Sequence, residues 1–582
     1  MNATARAHPN SGRPLTEAPP PSTRSELDAA VEALQSRKAT WAITGIVERL
    51  ILLEEMINGF SEISAQWSAA SCAGESLPLG TPQSGEEWVA GPYLILRNLR
   101  LLRDSLVDIR DHGQPRIPGP IKTRPNGQVT AQVFPCGIWD RLLFPGVTAE
   151  VWMEPGVEAE KLAETQAQVY RQPDPQGGVA LVLGAGNVSS IGPTDALYKF
   201  FVENRVVLYK MHPLNAYLGP LIEQAFSCMV ERGFLAVVYG GAEEGAYLCD
   251  HPGVEEIHIT GSHHTVEAIV FGSGEEGQRR KEERKPRLTK PLSSELGNVS
   301  GVIVVPGPWT SSDIEYQAEN LVSSLTNNAG FNCNATRMVI QHSGWNQRRE
   351  LLDALRRRLK TTPNRVAYYP GAEDRFDAFL AAHPEAETYG NRSGGELPWA
   401  LIPQLDPTQE QDICFQTEAF CSVFGETALE ADNPADFLNR AVEFANDVLW
   451  GTLNVTLLIH PASLRDPEVR DALNRALESL RFGTVSVNHW AAVGFGLMST
   501  TWGAFPGHDL YDIRSGSGVV HNTFMFERAE KSVLQAPFKT FPKPPWFVSH
   551  GSTDTLGERL ANFEAEPSVF KLPAVFWHAL RG

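Results

Sequence analysis

The stretch VALVLGAGNVSSIGPTDALYKFFVENRVVLYK, residues 179–210, decides the fold of this chain. It opens with the short apolar run VALVLG, passes through a Gly-rich turn and the helical pattern ALYKFFVEN, and ends in a second apolar run, RVVLYK. This order of strand, turn, helix and strand is typical of a parallel β-α-β unit. The stretch therefore predicts an α/β fold with a Rossmann-like, doubly wound sheet.

The same alternation continues on the C-terminal side. The helical pattern LIEQAFSCMVERG and the apolar runs LAVVYG and EEIHIT come next. A charged segment, residues 273–290, then interrupts the pattern, and we interpret it as a solvated surface loop because glutamates interleave with its basic residues. A second series of strands begins near Glu295 and includes GVIVVPG, MVIQH, NVTLLIH and GTVSVN. Two series predict a second α/β domain.

The flanking segments have other patterns. Residues 26–110 place apolar side chains at helical spacing. Pro125-Asn126-Gly127 predicts a β-hairpin, and pairing with another subunit is one way to cover its exposed edge. The Pro-rich segment 535–547 suits an edge strand, and the residues from Gly551 onward suggest a tail with one short helix.

Composition excludes several classes of partner. The chain has 582 residues, 42% of them hydrophobic, and a net charge of −19 at pH 7. Such an acidic chain repels phosphate backbones and anionic membranes, so we expect neither nucleic acid nor membrane as a partner. No apolar run approaches the roughly 20 residues that span a bilayer. The first 25 residues are polar and Pro-rich, which predicts a disordered tail, and cytoplasm is the expected location.

Cysteine usage indicates free thiols and no metal site. The number of cysteines is odd, and no pair has the spacing of a zinc site or a CxxC redox motif. A reducing compartment fits this pattern best. The seven cysteines are Cys72, Cys136, Cys228, Cys249, Cys333, Cys414 and Cys421.

Four residues can carry chemistry, although each also has a plain structural interpretation. Asn187 follows Gly184-x-Gly186, a partial dinucleotide fingerprint that also occurs as an ordinary strand-to-helix turn. Lys210 ends the next strand and is either a ribose ligand or a surface lysine. Cys333 lies between a helix and a strand, where backbone N–H groups can stabilise a thiolate, or else it is a small buried residue. Glu295 is either a loop charge or a buried general base.

The joint order of these residues resembles the aldehyde dehydrogenase superfamily. ELGNVSG is similar to the family's Glu-Leu-Gly-Gly segment and NNAGFNC to its Asn-x-Gly-Gln-x-Cys segment. Glu295 precedes Cys333 by 38 positions, close to the family's spacing of about 35. GAGN with the later lysine, HITGS, TEAFCSV and GTVSVN resemble four further landmarks in the family's order.

The resemblance implies a role for each matching residue. Cys333 would be the nucleophile, Glu295 the general base and Asn187 a donor of the oxyanion hole. The cofactor, NAD or NADP, would be bound by Lys210, Gly261, Ser262, Glu418 and Phe420. The implied reaction is oxidation of a small-molecule aldehyde to a carboxylic acid through a thiohemiacetal and a thioester that water hydrolyses.

Some positions depart from the family pattern. Phe331 replaces the glutamine before the cysteine, Asn298 replaces the second glycine after the glutamate, and Pro213 stands where NAD-preferring members often have glutamate. Two alternatives therefore stay open: a CoA-acylating aldehyde dehydrogenase or acyl-CoA reductase, and a non-catalytic protein of the same fold. Phe331, Trp490, Phe495 and Trp502 suggest an apolar substrate tunnel, although aromatic residues of this kind also form cores.

The resemblance also divides the chain into domains. After the tail, residues 26–118 and 150–294 would form the dinucleotide-binding domain and residues 295–525 the catalytic domain. Residues 119–149 and 526–548 would form a small β oligomerisation arm, which implies a homodimer or homotetramer. Residues 549–582 would be a C-terminal extension.

Overall fold

The computed structural model describes residues 16–582. Residues 1–15, which hold most of the predicted N-terminal tail, lie outside the described residues. The helices are α1 Arg24–Ala42, α2 Ile46–Gly74, α3 Ser84–Trp88, α4 Leu94–His112, α5 Ile138–Leu143, α6 Ile191–Phe201, α7 Gly219–Ala225, α8 Ser227–Glu231, α9 Ala242–Asp250, α10 His263–Phe271, α11 Gly274–Glu282, α12 Ser311–Thr326, α13 Arg348–Thr361, α14 Ala372–Ala382, α15 Ile413–Gln416, α16 Pro434–Asp447, α17 Pro467–Ser479, α18 Ala492–Gly496, α19 Thr553–Ala565 and α20 Leu572–Leu580.

The strands follow the same chain order. They are β1 Ile121–Thr123, β2 Val129–Phe134, β3 Thr148–Met153, β4 Val179–Leu183, β5 Val206–Lys210, β6 Leu235–Val238, β7 Glu256–Gly261, β8 Leu292–Leu296, β9 Gly301–Val304, β10 Met338–His342, β11 Arg365–Val366, β12 Glu387–Tyr389, β13 Glu396–Leu397, β14 Trp399–Leu405, β15 Val423–Leu429, β16 Asn454–Leu458, β17 Thr484–Val487, β18 Thr501–Gly503, β19 Gly516–Ser517, β20 Val519–His521 and β21 Ala529–Gln535.

The stretch 179–210 forms the centre of the first sheet, as its pattern predicts. The sheet has the order β19-β8-β7-β4-β5-β6, and β6, β5, β4, β7 and β8 are parallel. The chain leaves β4 in opposite directions, first to β5 and β6 and later to β7 and β8. This reversal creates a crevice at the carboxyl ends of β4 and β7, the usual ligand position in such sheets.

The second sheet combines the catalytic strands with the arm. Its order is β1-β2-β3-β21-β17-β16-β9-β10-β15-β14-β12. The strands from β21 to β14 are parallel, whereas β1, β2 and β3 form an antiparallel meander that pairs with β21. One edge of the predicted hairpin is therefore covered within the chain, and the short exposed strand β1 remains at the sheet edge. Pairing of this arm with another subunit stays a prediction.

The hairpin turn follows from local sequence. Gly127 has a φ of 86°, which favours glycine, and the N–H of Gly127 bonds the carbonyl of Arg124 at 2.9 Å. The two strands flank this turn in antiparallel register, Thr123 opposite Val129. The prediction from Pro125-Asn126-Gly127 is confirmed.

Two local predictions are wrong. The charged segment 273–290 contains α11 rather than only loop, because acidic residues begin this helix and basic residues end it, which suits its dipole. Residues 536–547 form no strand; the strand is β21, which ends at Gln535 and lies inside the sheet between β3 and β17. The prolines that follow Gln535 lack the N–H groups that a strand needs.

The C-terminal segment forms two helices, not the one predicted. Helix α19 packs against α3 and α4, and its Glu564 is almost completely buried between Arg97 and Arg100. Helix α20 returns along α19 and buries Val575. The segment is therefore an integral layer over the N-terminal helices. Among the described residues, no helix combines the length and apolar character needed to cross a membrane.

Candidate active site

The predicted site residues lie at the facing edges of the two sheets, and two of them, Asn187 and Cys333, line one cavity. Asn187 follows β4, Lys210 ends β5 and Glu295 lies near the end of β8, so all three lie at the carboxyl edge of the first sheet. Cys333 and Glu418 precede the neighbouring parallel strands β10 and β15 of the second sheet. The first three residues therefore lie at the carboxyl edge of the first sheet, and the other two lie at the amino edge of the second sheet.

The loop before Cys333 has a strained backbone. Asn328, Ala329 and Gly330 have φ values of 50°, 52° and 84°, and two of these residues are not glycine. A Cβ at Gly330 would meet the carbonyl oxygen of Cys421 at 2.6 Å, so only glycine fits there. Strain of this kind persists where surrounding contacts over-determine the backbone, and it is concentrated at functional sites.

Hydrogen bonds hold this loop against Asn187. The Asn187 side-chain amide donates to the carbonyl of Phe331 at 2.8 Å, and the Asn187 backbone carbonyl accepts from the Asn328 side-chain amide at 2.7 Å. The Tyr368 hydroxyl lies within 2.7 Å of the Asn328 side-chain oxygen and 3.0 Å of the Asn187 carbonyl. Glu86 accepts from the Asn328 N–H at 2.9 Å. One N–H of the Asn187 amide is thereby fixed, which orients the other.

Cys333 and Glu295 interact electrostatically. Burial raises the pKa of the Cys333 thiol well above its usual range, and Glu295 adds to this shift as a charge and as a hydrogen-bond acceptor. Burial likewise raises the pKa of Glu295 to about 8, opposed by a hydrogen bond from the Trp502 indole at 3.1 Å. Burial and the neighbouring carboxyl therefore both oppose ionisation of the thiol, in contrast to the stabilised thiolate expected at such a junction.

The main chain of Cys333 has its own support. The Ser300 hydroxyl donates to the Cys333 carbonyl at 2.9 Å, and the Asn454 amide donates to it at 3.2 Å. Asn298 bonds both of these residues and is completely buried. Asn298 therefore helps to fix the position of Cys333, which explains one departure from the family pattern.

The other departure, Phe331, is a packing residue. Its ring is fully buried and lies 5.1 Å from the ring of Tyr368 and 5.9 Å from that of Phe420. Phe420 has a φ of 40°, and its carbonyl accepts from Arg375 at 3.0 Å. The aromatic cluster thus supports the catalytic loop from the side of β15.

Two buried polar groups lack a partner where a dinucleotide would lie. Lys210 is 6% exposed, and its ammonium has no hydrogen bond or ion pair among the described side chains; burial lowers its pKa to about 8. Within the same described set, Oε1 of Glu418 is buried without a hydrogen-bond donor, and burial raises the pKa of this carboxyl to about 7. A Cβ at Gly297 would meet Oε2 of Glu418 at 1.8 Å, so glycine is required beside it.

The predicted pyrophosphate turn lies at a helix N-terminus. Gly261 ends β7, and both Gly261 and Ser262 are exposed. The Ser262 hydroxyl accepts from the N–H of Thr265 at 3.2 Å and so caps α10. A helix N-terminus beside the crevice between β4 and β7 suits a bound phosphate group.

A cavity of about 290 Å³ leads to Cys333. Cys333 and Asn187 line it, together with many aliphatic side chains from α4, α5, α18 and the C-terminal helices. Of the aromatic residues suggested as tunnel walls, Trp490 and Phe495 line the cavity, whereas Phe331 and Trp502 do not.

Several residues of the site carry no local sequence signal. Tyr368 and Arg337 reach it only through the fold, and the contact of Trp502 with Glu295, unlike its suggested place in a tunnel, also has no local signal. Arg337 donates to the carbonyls of Gly330 and Cys421 and so fixes the loop before the thiol. Asn454, in contrast, has a signal in the sequence, because it is a polar residue at the start of an apolar strand pattern.

Three side chains away from the cavity have the composition of a metal site. Ligand atoms of His383, Asp412 and Cys414 lie within 4.8 Å of one another, and none of these residues lines the cavity. Both ring nitrogens of His383 already contact carboxylates, Glu385 at 2.9 Å and Asp412 at 3.1 Å. Both ring nitrogens are therefore already engaged by neighbouring side chains.

Comparison with known sequences agrees with this geometry. Residues 149–367 match the Aldehyde dehydrogenase family. N-succinylglutamate 5-semialdehyde dehydrogenase of Novosphingobium aromaticivorans is 28% identical over 164 residues, covering 28% of this chain and 32% of the relative. Peroxisomal aminoaldehyde dehydrogenase 1 of Malus domestica is 28% identical over 235 residues, covering 38% and 42%. The matches thus span less than half the length of these relatives.

Solved structures show the same fold over most of the chain. NADP-dependent glyceraldehyde-3-phosphate dehydrogenase from Bacillus halodurans, complexed with NADP, has a TM-score of 0.59 at 17% identity and covers 88% of this chain and 91% of its own. An aldehyde dehydrogenase of Mycobacterium tuberculosis complexed with NAD+ has a TM-score of 0.56 at 15% identity, covering 90% and 92%. The predicted α/β fold class is confirmed.

Proposed function

We propose that this chain, a divergent member of the aldehyde dehydrogenase superfamily, oxidises an aldehyde to a carboxylic acid with NAD or NADP. The observation that carries the proposal is the meeting of three groups: a thiol, a carboxyl and an amide. Cys333 and Asn187 line one cavity, and Glu295 lies close enough to act on the pKa of the thiol.

The first half-reaction begins at Cys333. Glu295 takes the thiol proton, and the sulfur adds to the aldehyde carbon to form a thiohemiacetal. The free N–H of the Asn187 amide and the N–H of Cys333 stabilise the oxyanion. One such donor contributes on the order of 3 kcal/mol to the transition state. Collapse of the oxyanion leaves a thioester on Cys333.

The second half-reaction releases the acid. Once Glu295 has released the thiol proton to solvent, its carboxylate can deprotonate water, and its raised pKa suits a general base near neutral pH. Water adds to the thioester carbon, the Cys333 sulfur leaves, and the carboxylic acid departs. The presence of Glu295 favours hydrolysis over transfer to CoA.

The cofactor site has groups that fit a dinucleotide. The unpaired Lys210 ammonium and the unpaired Oε1 of Glu418 would bind ribose hydroxyls, and the N-terminus of α10 with Gly261 and Ser262 would face the pyrophosphate. Phe420 would lie beside the nicotinamide ribose. When bound, an oxidised nicotinamide would supply the acceptor for the hydride that leaves the thiohemiacetal carbon as the oxyanion collapses. Pro213 provides no carboxylate to repel a 2′-phosphate, so NADP is admitted as well as NAD.

We also propose a location, a partner and an assembly for the enzyme. We retain the cytoplasm as its location, a small-molecule aldehyde as its partner and a homodimer or homotetramer as its assembly. The arm, residues 119–149 and 526–548, would provide the subunit contact.

The direct test is turnover of an aldehyde panel with NAD and NADP, each with and without CoA. We expect reduced cofactor to form without CoA in the wild type and not in Cys333→Ala. Cys228→Ala, which removes a core thiol remote from the cavity, should keep wild-type rates. Equal turnover by Cys333→Ala and wild type would refute the proposal, and strict dependence on CoA would replace hydrolysis with acyl transfer.

A further inference from the structure

The cavity that reaches Cys333 is closed by the C-terminal segment. Leu556 and Leu560 of α19 and Val575 and Ala579 of α20 line its wall. These side chains are aliphatic and belong to residues 549–582, the predicted extension beyond the catalytic domain. The extension therefore contributes directly to the space that a substrate would occupy.

This wall is held firmly in place. Oε1 of Glu564 lies 2.8 Å from Arg97, and Oε2 lies 2.5 Å from Arg100, with the Arg97 guanidinium completely buried. Asp140 of α5 adds a contact of 3.0 Å to Arg97. Buried charges paired in this way fix α19 against α4 and α5, because separating them would leave charges without partners in the interior.

The mouth of the cavity is apolar as well. Phe541 and Leu142 line it, and they are 79% and 42% exposed to solvent. Large apolar side chains exposed at a pocket entrance mark a site that takes an apolar ligand.

Charge is sparse in the cavity lining. Its charged lining residues within the described chain are Glu86, which lies 3.1 Å from Arg365, and Lys543, which keeps its charge and donates to the neutral Ser549 hydroxyl at 2.8 Å two positions after Phe541. His489 also lines the cavity, and burial lowers the pKa of this histidine to about 4, so its ring is neutral. A substrate whose carboxylate or ammonium group lay against the aliphatic wall of α19 and α20 would lose its hydration without gaining a partner there.

We propose that the substrate is an uncharged aldehyde with an apolar chain, which enters between Leu142 and Phe541 and lies against α19 and α20. This inference rests on the proposed aldehyde oxidation at Cys333, and it assigns the C-terminal segment as the specificity-determining wall. The reacting carbonyl lies at Cys333 and Asn187, and the apolar chain extends toward Ala579.

The first experiment compares aldehydes of different polarity. We expect kcat/KM to rise from acetaldehyde to hexanal by about fourfold per added methylene, which is the fold-change for about 0.8 kcal/mol per buried CH₂. Succinic semialdehyde, with a carboxylate, and betaine aldehyde, with a quaternary ammonium that Trp490 and Trp546 could attract, should fall well below hexanal. Preference for either charged aldehyde would overturn the inference.

The second experiment changes the wall. Ala579→Trp should lower the ratio of kcat/KM for decanal to that for acetaldehyde at least about tenfold, because the indole fills the space that the longer chain needs. Leu580→Trp, on the exposed face of the same helix, is the matched control and should leave the ratio unchanged. If Ala579→Trp does not fold, Ala492→Phe narrows the cavity from α18. An unchanged ratio in a folded cavity variant would refute the role of this wall.

A binding measurement separates this inference from the proposed reaction. Decanol cannot be turned over as an aldehyde, and its binding to Cys333→Ala can be followed by the fluorescence of Trp490 and Trp546. Decanol binding that Ala579→Trp weakens, in a protein that oxidises no aldehyde, would refute the reaction and keep the apolar site. Aldehyde turnover without chain-length preference or decanol binding would keep the reaction and refute the apolar site.

Discussion

Replacing Glu295 with glutamine should separate the two halves of the proposed reaction. Glutamine keeps the shape and can still accept the Trp502 hydrogen bond, which measures 3.1 Å in the wild type. It cannot accept a proton. General-base catalysis contributes roughly 10²–10⁴-fold in rate, so we expect steady-state turnover to fall by about this factor through slow thioester hydrolysis.

The first turnover should survive the same substitution. The charge of Glu295 is one cause of the raised pKa of the Cys333 thiol, second only to burial. Removing this charge lowers the thiol pKa, so the sulfur can ionise at alkaline pH without its neighbour. The variant should therefore show a stoichiometric burst of reduced cofactor followed by almost no further turnover.

The pKa of Glu295 also sets the direction and the size of the change in wild-type kcat with pH. Because the pKa of Glu295 is about 8, its basic form rises with pH. Its ionised fraction grows from about 9% at pH 7 to about 91% at pH 9. When hydrolysis limits the rate, kcat should increase about tenfold over this range. Trp502→Phe removes a hydrogen bond that lowers this pKa and should move the profile to higher pH.

Stopped-flow absorbance of reduced cofactor with a saturating aldehyde measures burst and steady state in one trace. The acyl-enzyme that accumulates in Glu295→Gln should be detected by mass spectrometry as an increase in mass at Cys333 that corresponds to the acyl group. Wild-type steady-state turnover by Glu295→Gln, or a kcat independent of pH between 7 and 9, would refute the assignment of Glu295 as the base for hydrolysis.

Two other substitutions test the cofactor site and the C-terminal wall. Lys210→Met should raise KM for NAD and NADP about tenfold or more with a smaller change in KM for aldehyde, because the Lys210 ammonium at the end of β5 is expected to bind the cofactor. Steady-state kinetics with each substrate varied measures this, and equal changes in both KM values would contradict it. Glu564→Ala should lower the free energy of unfolding by about 3–5 kcal/mol, because Arg97 and Arg100 both lose the buried carboxylate that they share. Urea denaturation measures this change. The control is Glu566→Ala, which removes an exposed ion pair that contributes at most about 1 kcal/mol. Equal urea midpoints for the two variants would show that the buried ion pairs do not hold α19.

The sequence by itself determined the elements whose signals are local. The run from Val179 to Lys210 predicted a strand, a helix and a strand because apolar periodicity is a property of neighbouring residues, and the first sheet has this unit at its centre. Gly127 predicted its turn because only a few residue types tolerate a positive φ. The resemblance carried by the order of Glu295 and Cys333 predicted a joint role for them, and Glu295 contributes to the raised pKa of the Cys333 thiol.

Only the tertiary structure decided what depends on contacts between distant residues. Strand β21 lies inside a sheet, although the proline-rich segment after it suggested the edge, because its neighbours β3 and β17 come from remote parts of the chain. The pKa of Cys333 follows burial and two carboxylates that approach it only after folding, so no sequence motif could give its direction. Helices α19 and α20 become a cavity wall through the pairing of Glu564 with arginines more than 460 positions away. Local patterns fix secondary structure because they act over a few residues, whereas electrostatics and cavity shape arise from the packing of the whole chain.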